Sequence, residues 1–347
     1  MKYWEEDMSN WKKLKLKDLN RFLDELSSGY ELWIPEKEKQ KWIWSIYDKT
    51  DEVQFPPNII DESVKALFFP KRRPIAEFDL KKKWSVKQVE TSTKPRAIMG
   101  LRSCDAEGIN YMDRVFLHSG YTDELYKGER DRTLLIGMIC DEMGENCHCT
   151  DRNSSPDKTE GMDIIFKRVP DGFLFRQITE KVSDILNFGL LIDTDEIYEA
   201  PEWPRGRFEV AAPEDVLDTY DDEFWNDVSD ICLTCGGCTF SCPTCLCFLV
   251  ADEKFKGKCE RVTVWDTCQF SAYSRMAGGH NPRDNNAARV RNRTLDKFGY
   301  SERKYGRTSC TGCGRCVIIC PLKRSFPYIA RNLTERIKEK KAASQGA

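Results

Sequence analysis

Residues 232–243 read Cys232-Leu-Thr-Cys235-Gly-Gly-Cys238-Thr-Phe-Ser-Cys242-Pro243, and residues 310–321 read Cys310-Thr-Gly-Cys313-Gly-Arg-Cys316-Val-Ile-Ile-Cys320-Pro321. Each stretch sets three thiols at every third position, a fourth after three more residues, and then a proline. Three thiolates this close in sequence can hold three irons of one iron-sulfur cube only if the backbone curls tightly around it, and Gly236, Gly237, Gly312 and Gly314 permit that curl. The fourth cysteine begins the next element pointing away, and the proline behind it keeps the loop from continuing as helix. Structural zinc takes separated pairs of ligands and has no use for four thiols in eleven residues, repeated.

This spacing resembles the ligand run of bacterial-type ferredoxins. The likeness implies two 4Fe-4S clusters with crossed ligation. Cys232, Cys235, Cys238 and Cys320 would hold one, and Cys310, Cys313, Cys316 and Cys242 the other.

The rest of the composition sets limits. A chain of 347 residues is long enough for two or three domains with cores of their own. Sixteen cysteines beside three histidines, in a chain rich in Lys and Glu, point to metal in a reducing compartment and not to a small secreted disulfide scaffold. The N-terminus has no apolar signal region and no run is long enough to span a bilayer, so a cytoplasmic location without membrane insertion is expected. The net charge of -3 gives no global argument for nucleic acid.

The fold class expected is α+β. Residues 1–200 would form an α/β domain with a short parallel sheet. Residues 201–335 would form a mostly helical dicluster ferredoxin-like domain, with 243–309 as a long insertion and 336–347 as a flexible tail. Leu19, Phe22, Leu23 and Leu26 recur at helical spacing behind Asp18, a candidate cap, up to Gly29. Tyr30 to Ile34 reads as a strand ended by Pro35, Trp42 to Tyr47 as another strand, and Pro70 to Pro74 as a rigid, solvated basic turn. Arg96 to Leu101, Ala106 to Leu117 and Arg132 to Cys140 read as strand, helix, strand, a right-handed parallel unit with its sites at the carboxyl ends of the strands. A hairpin follows around Pro170-Asp-Gly172, then helical spacing from Val182 to Leu190 and a helix from Pro213 to Val228.

That parallel unit would deliver Cys104 and Cys140 to one rim, and the loop Gly144-Glu-Asn-Cys147-His-Cys149 could fold back over it. Four thiols on one rim are a candidate third 4Fe-4S site; the alternatives are reduced buried thiols or a zinc site that borrows His148. His148, flanked by two candidate ligands, would turn its ring the other way and is not counted among them. Cys245, Cys247 and Cys268 have no partner in the two-cube scheme and are read as packing beside the cubes or as extra ligands. From Arg283 to Arg307 eight Lys or Arg stand against three Asp or Glu, read first as a solvated face and next as positive charge placed beside anionic clusters.

The segments Gly100-Leu-Arg-Ser-Cys104-Asp, Cys140-Asp-Glu-Met-Gly-Glu-Asn-Cys147-His-Cys149, Cys242-Pro-Thr-Cys245-Leu-Cys247-Phe, Trp265-Asp-Thr-Cys268 and Ala277-Gly-Gly-His-Asn-Pro-Arg283 combine with the two runs into a wider likeness. From about residue 65 onward the chain resembles the iron-sulfur beta subunit of archaeal sulfhydrogenases and the iron-sulfur electron-carrying subunit of anaerobic sulfite reductase. The resemblance implies an electron-carrying subunit placed between a flavoprotein subunit, which would carry FAD and NAD(P), and a separate catalytic subunit. Neither a Gly-x-Gly-x-x-Gly stretch nor a phosphate-cradling Gly-Lys-Ser/Thr loop is present. Turnover by this chain alone is therefore not expected. The alternative is a reductase acting on a sulfur compound at its own cluster near Cys245, Cys247 and Cys268.

Overall fold

The computed structural model describes residues 11–49, 52–79, 85–152, 154–182, 185, 188–255, 258–323 and 325–345. In its first half the chain runs β1 (Trp11–Lys15), α1 (Leu19–Gly29), β2 (Glu31–Glu38), β3 (Lys41–Ile46), α2 (Lys65–Phe68), β4 (Arg72–Asp79), β5 (Ser85–Gln88), β6 (Arg96–Leu101) and α3 (Ser103–Phe116). It continues with α4 (Glu124–Asp131), β7 (Thr133–Met138), β8 (Ile164–Val169), β9 (Gly172–Gln177) and β10 (Ile192–Asp193).

Eight of these strands make one sheet in the order β10-β1-β9-β8-β7-β6-β2-β3. Its centre is parallel, β2 with β6, β6 with β7 and β7 with β8, and antiparallel strands extend it on both sides. The short parallel sheet expected from the sequence is thus the middle of a wider mixed one. Both faces are covered, which explains why β6 and β7 read as continuous apolar runs with every residue buried. Alternation assigns the faces: Ala97 and Met99 pack with Phe22, Leu23 and Leu26 of α1, while Ile98 packs with Ile109, Met112 and Phe116 of α3.

Two local expectations are corrected. Asp18 precedes α1 but makes no side-chain cap. Pro35 does not end β2, because β6 pairs only with Glu31 to Trp33, so at Pro35 the strand has one free side and no ladder donor is lost there. The hairpin of β8 and β9 turns where Pro170-Asp-Gly172 placed it. The helical spacing from Val182 to Leu190 falls partly outside the described residues; Val182 and Ile185 are buried in the core.

The second half contains α5 (Pro213–Leu217), α6 (Phe224–Ser229), α7 (Gly237–Phe240), β11 (Phe248–Phe255), β12 (Lys258–Trp265), α8 (Asn286–Leu295), α9 (Ser301–Tyr305), α10 (Arg315–Ile319) and α11 (Phe326–Gln345). The single helix expected from Pro213 to Val228 is two, with the chain turning between them where the Trp225 indole donates to the Thr219 carbonyl at 2.6 Å. The insertion opens as a β-hairpin and not as helix. Strands β11 and β12 join β4 and β5 in a second sheet, ordered β11-β12-β4-β5. The basic stretch expected to be a turn therefore becomes strand, with Arg73 paired to Asp123 at 2.7 Å and Arg72 to Glu253 and Glu260. This sheet also crosses the boundary expected near residue 200. Of the stretch expected as a tail, residues 336–345 belong to α11, which buries Ile337 and pairs Lys340 with Asp222 and Lys341 with Asp215. Among the described residues no helix is long and apolar enough to cross a membrane.

Candidate iron-sulfur sites

The two cysteine runs fold alike. Gly236 and Gly314 hold matching positions at φ 73° and 75°, and each starts a short helix that carries the third thiol inward. One cavity is lined by Cys232, Cys235, Cys238 and Cys320 together with Ile319, Leu322 and Phe326. A second is lined by Cys242, Cys310, Cys313 and Cys316. Each cavity thus gathers three cysteines of one run and the fourth of the other. We call these the first and second sites.

Arg293 of α8 lines both cavities, and its guanidinium donates to the Cys238 sulfur at 2.8 Å and to the Cys238 carbonyl at 3.1 Å. It is buried, and against that burial the thiols of Cys238, Cys245, Cys242 and Cys316 hold it charged. Lys297, in the π-helical turn Asp296–Tyr300, donates to Thr244 Oγ1 at 2.7 Å and to the Ser309 carbonyl at 2.8 Å beside the second site. These two members of the basic segment are inside the protein, so its first reading as a solvated face fails for them.

The third set also converges. The parallel pairing of β6 with β7 brings Cys104, in the first turn of α3, and Cys140, past the end of β7, to the same rim. The loop carrying Cys147 and Cys149 folds over it, and all four thiols are buried. Burial pushes Cys104 and Cys140 above the usual thiol range, Cys147 up to about 11 and Cys149 up to about 12. A metal bound here would have to displace their protons.

Two buried arginines face this rim. Arg102 donates to the carbonyls of Met138 and Pro56, and its Nε has no partner. Arg315, in the second run, donates Nε to the Ile60 carbonyl at 2.7 Å and lies 2.9 Å from the Asp105 carboxylate, close but not aligned for a hydrogen bond. Its terminal N–H groups make no aligned hydrogen bond. Buried cations with spare donors, turned toward a set of thiols, fit an anionic cluster held by those thiols. Zinc fits less well: among the described residues no three Cys, His, Asp or Glu side chains converge on a point that would hold a single ion.

The rim and the second site share a wall. Cys104, Cys147 and Cys313 pack together, and the His148 amide donates to the Gly312 carbonyl at 2.8 Å. At Gly312, φ 69°, a Cβ would meet the Cys149 backbone at 2.5 Å, so only glycine lets the two loops stack. The His148 ring meets the Phe208 ring edge to face. Its Nδ1 lies 3.1 Å from the Asn146 carbonyl and its Nε2 3.8 Å from the Cys310 sulfur.

Cys245, Cys247 and Cys268 divide into two roles. The Cys245 thiol donates to the Cys242 sulfur and, with Lys297 and Arg293, holds the Cys242 thiol well below its ordinary value. Lys65 donates to the Cys245 carbonyl at 2.9 Å and stands 4.3 Å over the Trp265 ring. Cys247 and Cys268 are in contact with each other at the base of the β11–β12 hairpin. Sequence reading missed Arg102, Asp105, Arg315 and Lys65. The signal it had for the arginines was their place one or two residues before a cysteine.

A family model described as a 4Fe-4S dicluster domain matches residues 231–324, the stretch that contains both runs and the hairpin between them. The chain is 30% identical over 239 residues to sulfhydrogenase 2 subunit beta of Pyrococcus furiosus, a match covering 65% of this chain and 70% of that one. The chain belongs to the sulfhydrogenase beta-subunit family. This membership agrees with the resemblance drawn from the sequence. No solved structure matches the chain.

Proposed function

We propose that this beta-family chain is the electron-transfer subunit of a sulfhydrogenase-like complex, relaying single electrons between a flavoprotein partner and a catalytic partner. The reading rests on one observation above the others: two cavities are each lined by four thiols drawn crosswise from both runs, and the second of them shares a wall with a third set of buried thiols. Cys232, Cys235, Cys238 and Cys320 would hold the first 4Fe-4S cluster. Cys310, Cys313, Cys316 and Cys242 would hold the second, and Cys104, Cys140, Cys147 and Cys149 a third.

The clusters, when bound, supply one-electron chemistry. The chain's own residues set their spacing, solvent access and surrounding charge. Arg293 ties the first site to the second, and the stacking of Gly312 on the Cys149 loop ties the second to the rim. Cys235 is exposed while the four rim thiols are buried, so the first site is the end of the line open to a partner. FAD and NAD(P) belong to the flavoprotein partner in this reading. The catalytic partner is of hydrogenase or sulfite reductase type, and the complex works in the cytoplasm under anaerobic conditions.

Iron and sulfide analysis of anaerobically purified protein, with EPR of the reduced form, tests the assignment. About twelve irons per chain are expected for three clusters. About eight would remove the rim site, and a colourless, iron-free, folded chain would end the proposal. Anaerobic affinity purification from the native cell is expected to bring a flavin-containing subunit with it.

A further inference from the structure

The relay makes no use of a polar cavity of about 330 Å³, several times roomier than either thiol-lined one. One wall is α3, with Glu107, Tyr111 and Arg114, and another is the stretch after Cys149, with Asp151, Arg152 and Ser154. The chain entering the second run closes it with Arg307, Cys310 and Thr311. Most charges in these walls are spent on each other. Glu107 is paired with Arg307 and, at 2.6 Å, with Lys158, which also reaches Glu160 at 2.9 Å. Asp151 accepts from the amides of Gly206 at 2.7 Å and Phe208 at 2.8 Å. Arg114 and Arg152 are not spent: among the described residues neither makes an ion pair. Arg114 donates to the Tyr305 carbonyl at 2.8 Å, and Arg152 to the Phe208 carbonyl at 3.0 Å with its Nε left without a partner. Against these two guanidiniums the walls set one carboxylate that is not paired off, Glu302. Two hydroxyls are open as well. Ser154 and Thr311 are each 8% exposed, and neither hydroxyl has a hydrogen-bond partner. Buried donors left open are costly, and here they line a space large enough to hold what would satisfy them.

We propose that this cavity binds a phosphoryl group, free or in a small ester, and that the bound charge beside Cys310 makes the second cluster harder to reduce. The occupant must be anionic, because two arginines without carboxylates face the same space, and it must accept hydrogen bonds from separate walls at once. A carboxylate offers two oxygens in one plane. A phosphoryl group offers three on a tetrahedral frame, which suits two guanidiniums and two hydroxyls carried by different segments. The cavity is roomier than one phosphate requires, so an organic remainder fits beside it. The effect on the cluster follows from charge alone: an anion lodged between Arg152 and Cys310 offsets the positive field that favours the reduced form. Only this second half of the inference rests on the relay reading.

The complete chain, purified anaerobically, is dialysed to equilibrium against radiolabelled inorganic phosphate and, separately, radiolabelled glycerol phosphate, with ionic strength held constant by chloride. A single saturable site per chain is expected. Tighter binding of the ester would assign the site to esters, and equal or weaker binding to free phosphate. Arg114→Met is expected to weaken binding by roughly tenfold or more, the worth of a charged hydrogen bond, and Ser154→Ala by several-fold, with iron content and circular dichroism unchanged in both. No saturable uptake of either probe, or uptake undiminished in both variants, would overturn the site. In an EPR-monitored titration, phosphate is expected to lower the midpoint potential of one cluster in the wild type and to leave Arg114→Met unmoved at the same concentration. Unmoved potentials in a wild type with phosphate bound would overturn the effect on the cluster. A folded, iron-free chain that still takes up phosphate would sink the relay and leave the binding site standing.

Discussion

The first site and the rim site set the same number of thiols in opposite surroundings. At the first site Cys235 is exposed and the walls are largely apolar, with Leu233, Ile319 and Leu322 reaching solvent. At the rim every thiol is buried, and Arg102 and Arg315 are enclosed with them. A cluster at the first site would be stabilised by water and by its loop as well as by Arg293. One at the rim depends on fixed charges put there by the fold, because a buried anion needs a partner in the same low-dielectric space. The difference teaches that thiol count alone does not say how a site is held.

The sharpest test of that contrast is iron content after single ligand changes. Cys235→Ser is expected to remove about four irons, whereas Cys313→Ser, on the wall shared by the second site and the rim, is expected to remove about eight. Equal losses would show that the wall is not shared. Next in size is Arg315→Met. It strands the fully buried Asp105 carboxylate and is expected to destabilise the protein by about 3–5 kcal/mol in anaerobic denaturant titration. A change at the surface near Cys235 should cost far less.

Gly312→Ala forces a Cβ into the backbone of Cys149 and is expected to cost about 1–3 kcal/mol by the same titration, with the rim cluster lost first. Arg293→Gln removes a positive charge between the first and second sites, so reduction of the adjacent clusters becomes harder. Their midpoint potentials in an EPR-monitored titration should fall by about 60 mV, or about 1.4 kcal/mol for one electron. At the small end, Lys338→Ala breaks an exposed pair with Glu209 on α11, remote from every site, and should change stability by less than about 1 kcal/mol.

Both runs were legible because their spacing is local: ligands that lie within eleven residues can be read without knowing how the chain folds. The rim was legible in part, since β6 and β7 are buried on both faces and their continuous apolar runs announced a parallel pair with its thiols at one end. The arginines escaped. Arg315 meets Asp105 across a large separation in sequence, and nothing local distinguishes a cation that faces a thiol cluster from one that faces water. The second sheet escaped for a related reason. Strands such as β4, with arginines and a proline at its bulge, carry a weak alternation that resembles a loop until the partner strand is known. Pro35 misled because the rule that proline stops a strand applies only where a neighbour needs the missing donor.

The partnership of β4 with β12 has a consequence for how the molecule is made. Thr263 reaches Arg73 across 190 residues, so the smaller sheet stays open until most of the polypeptide has left the ribosome. By the end of that interval the rim loop and the first run have been made, and the second run has not. The two crossed sites are therefore completed only after both strands of the hairpin exist.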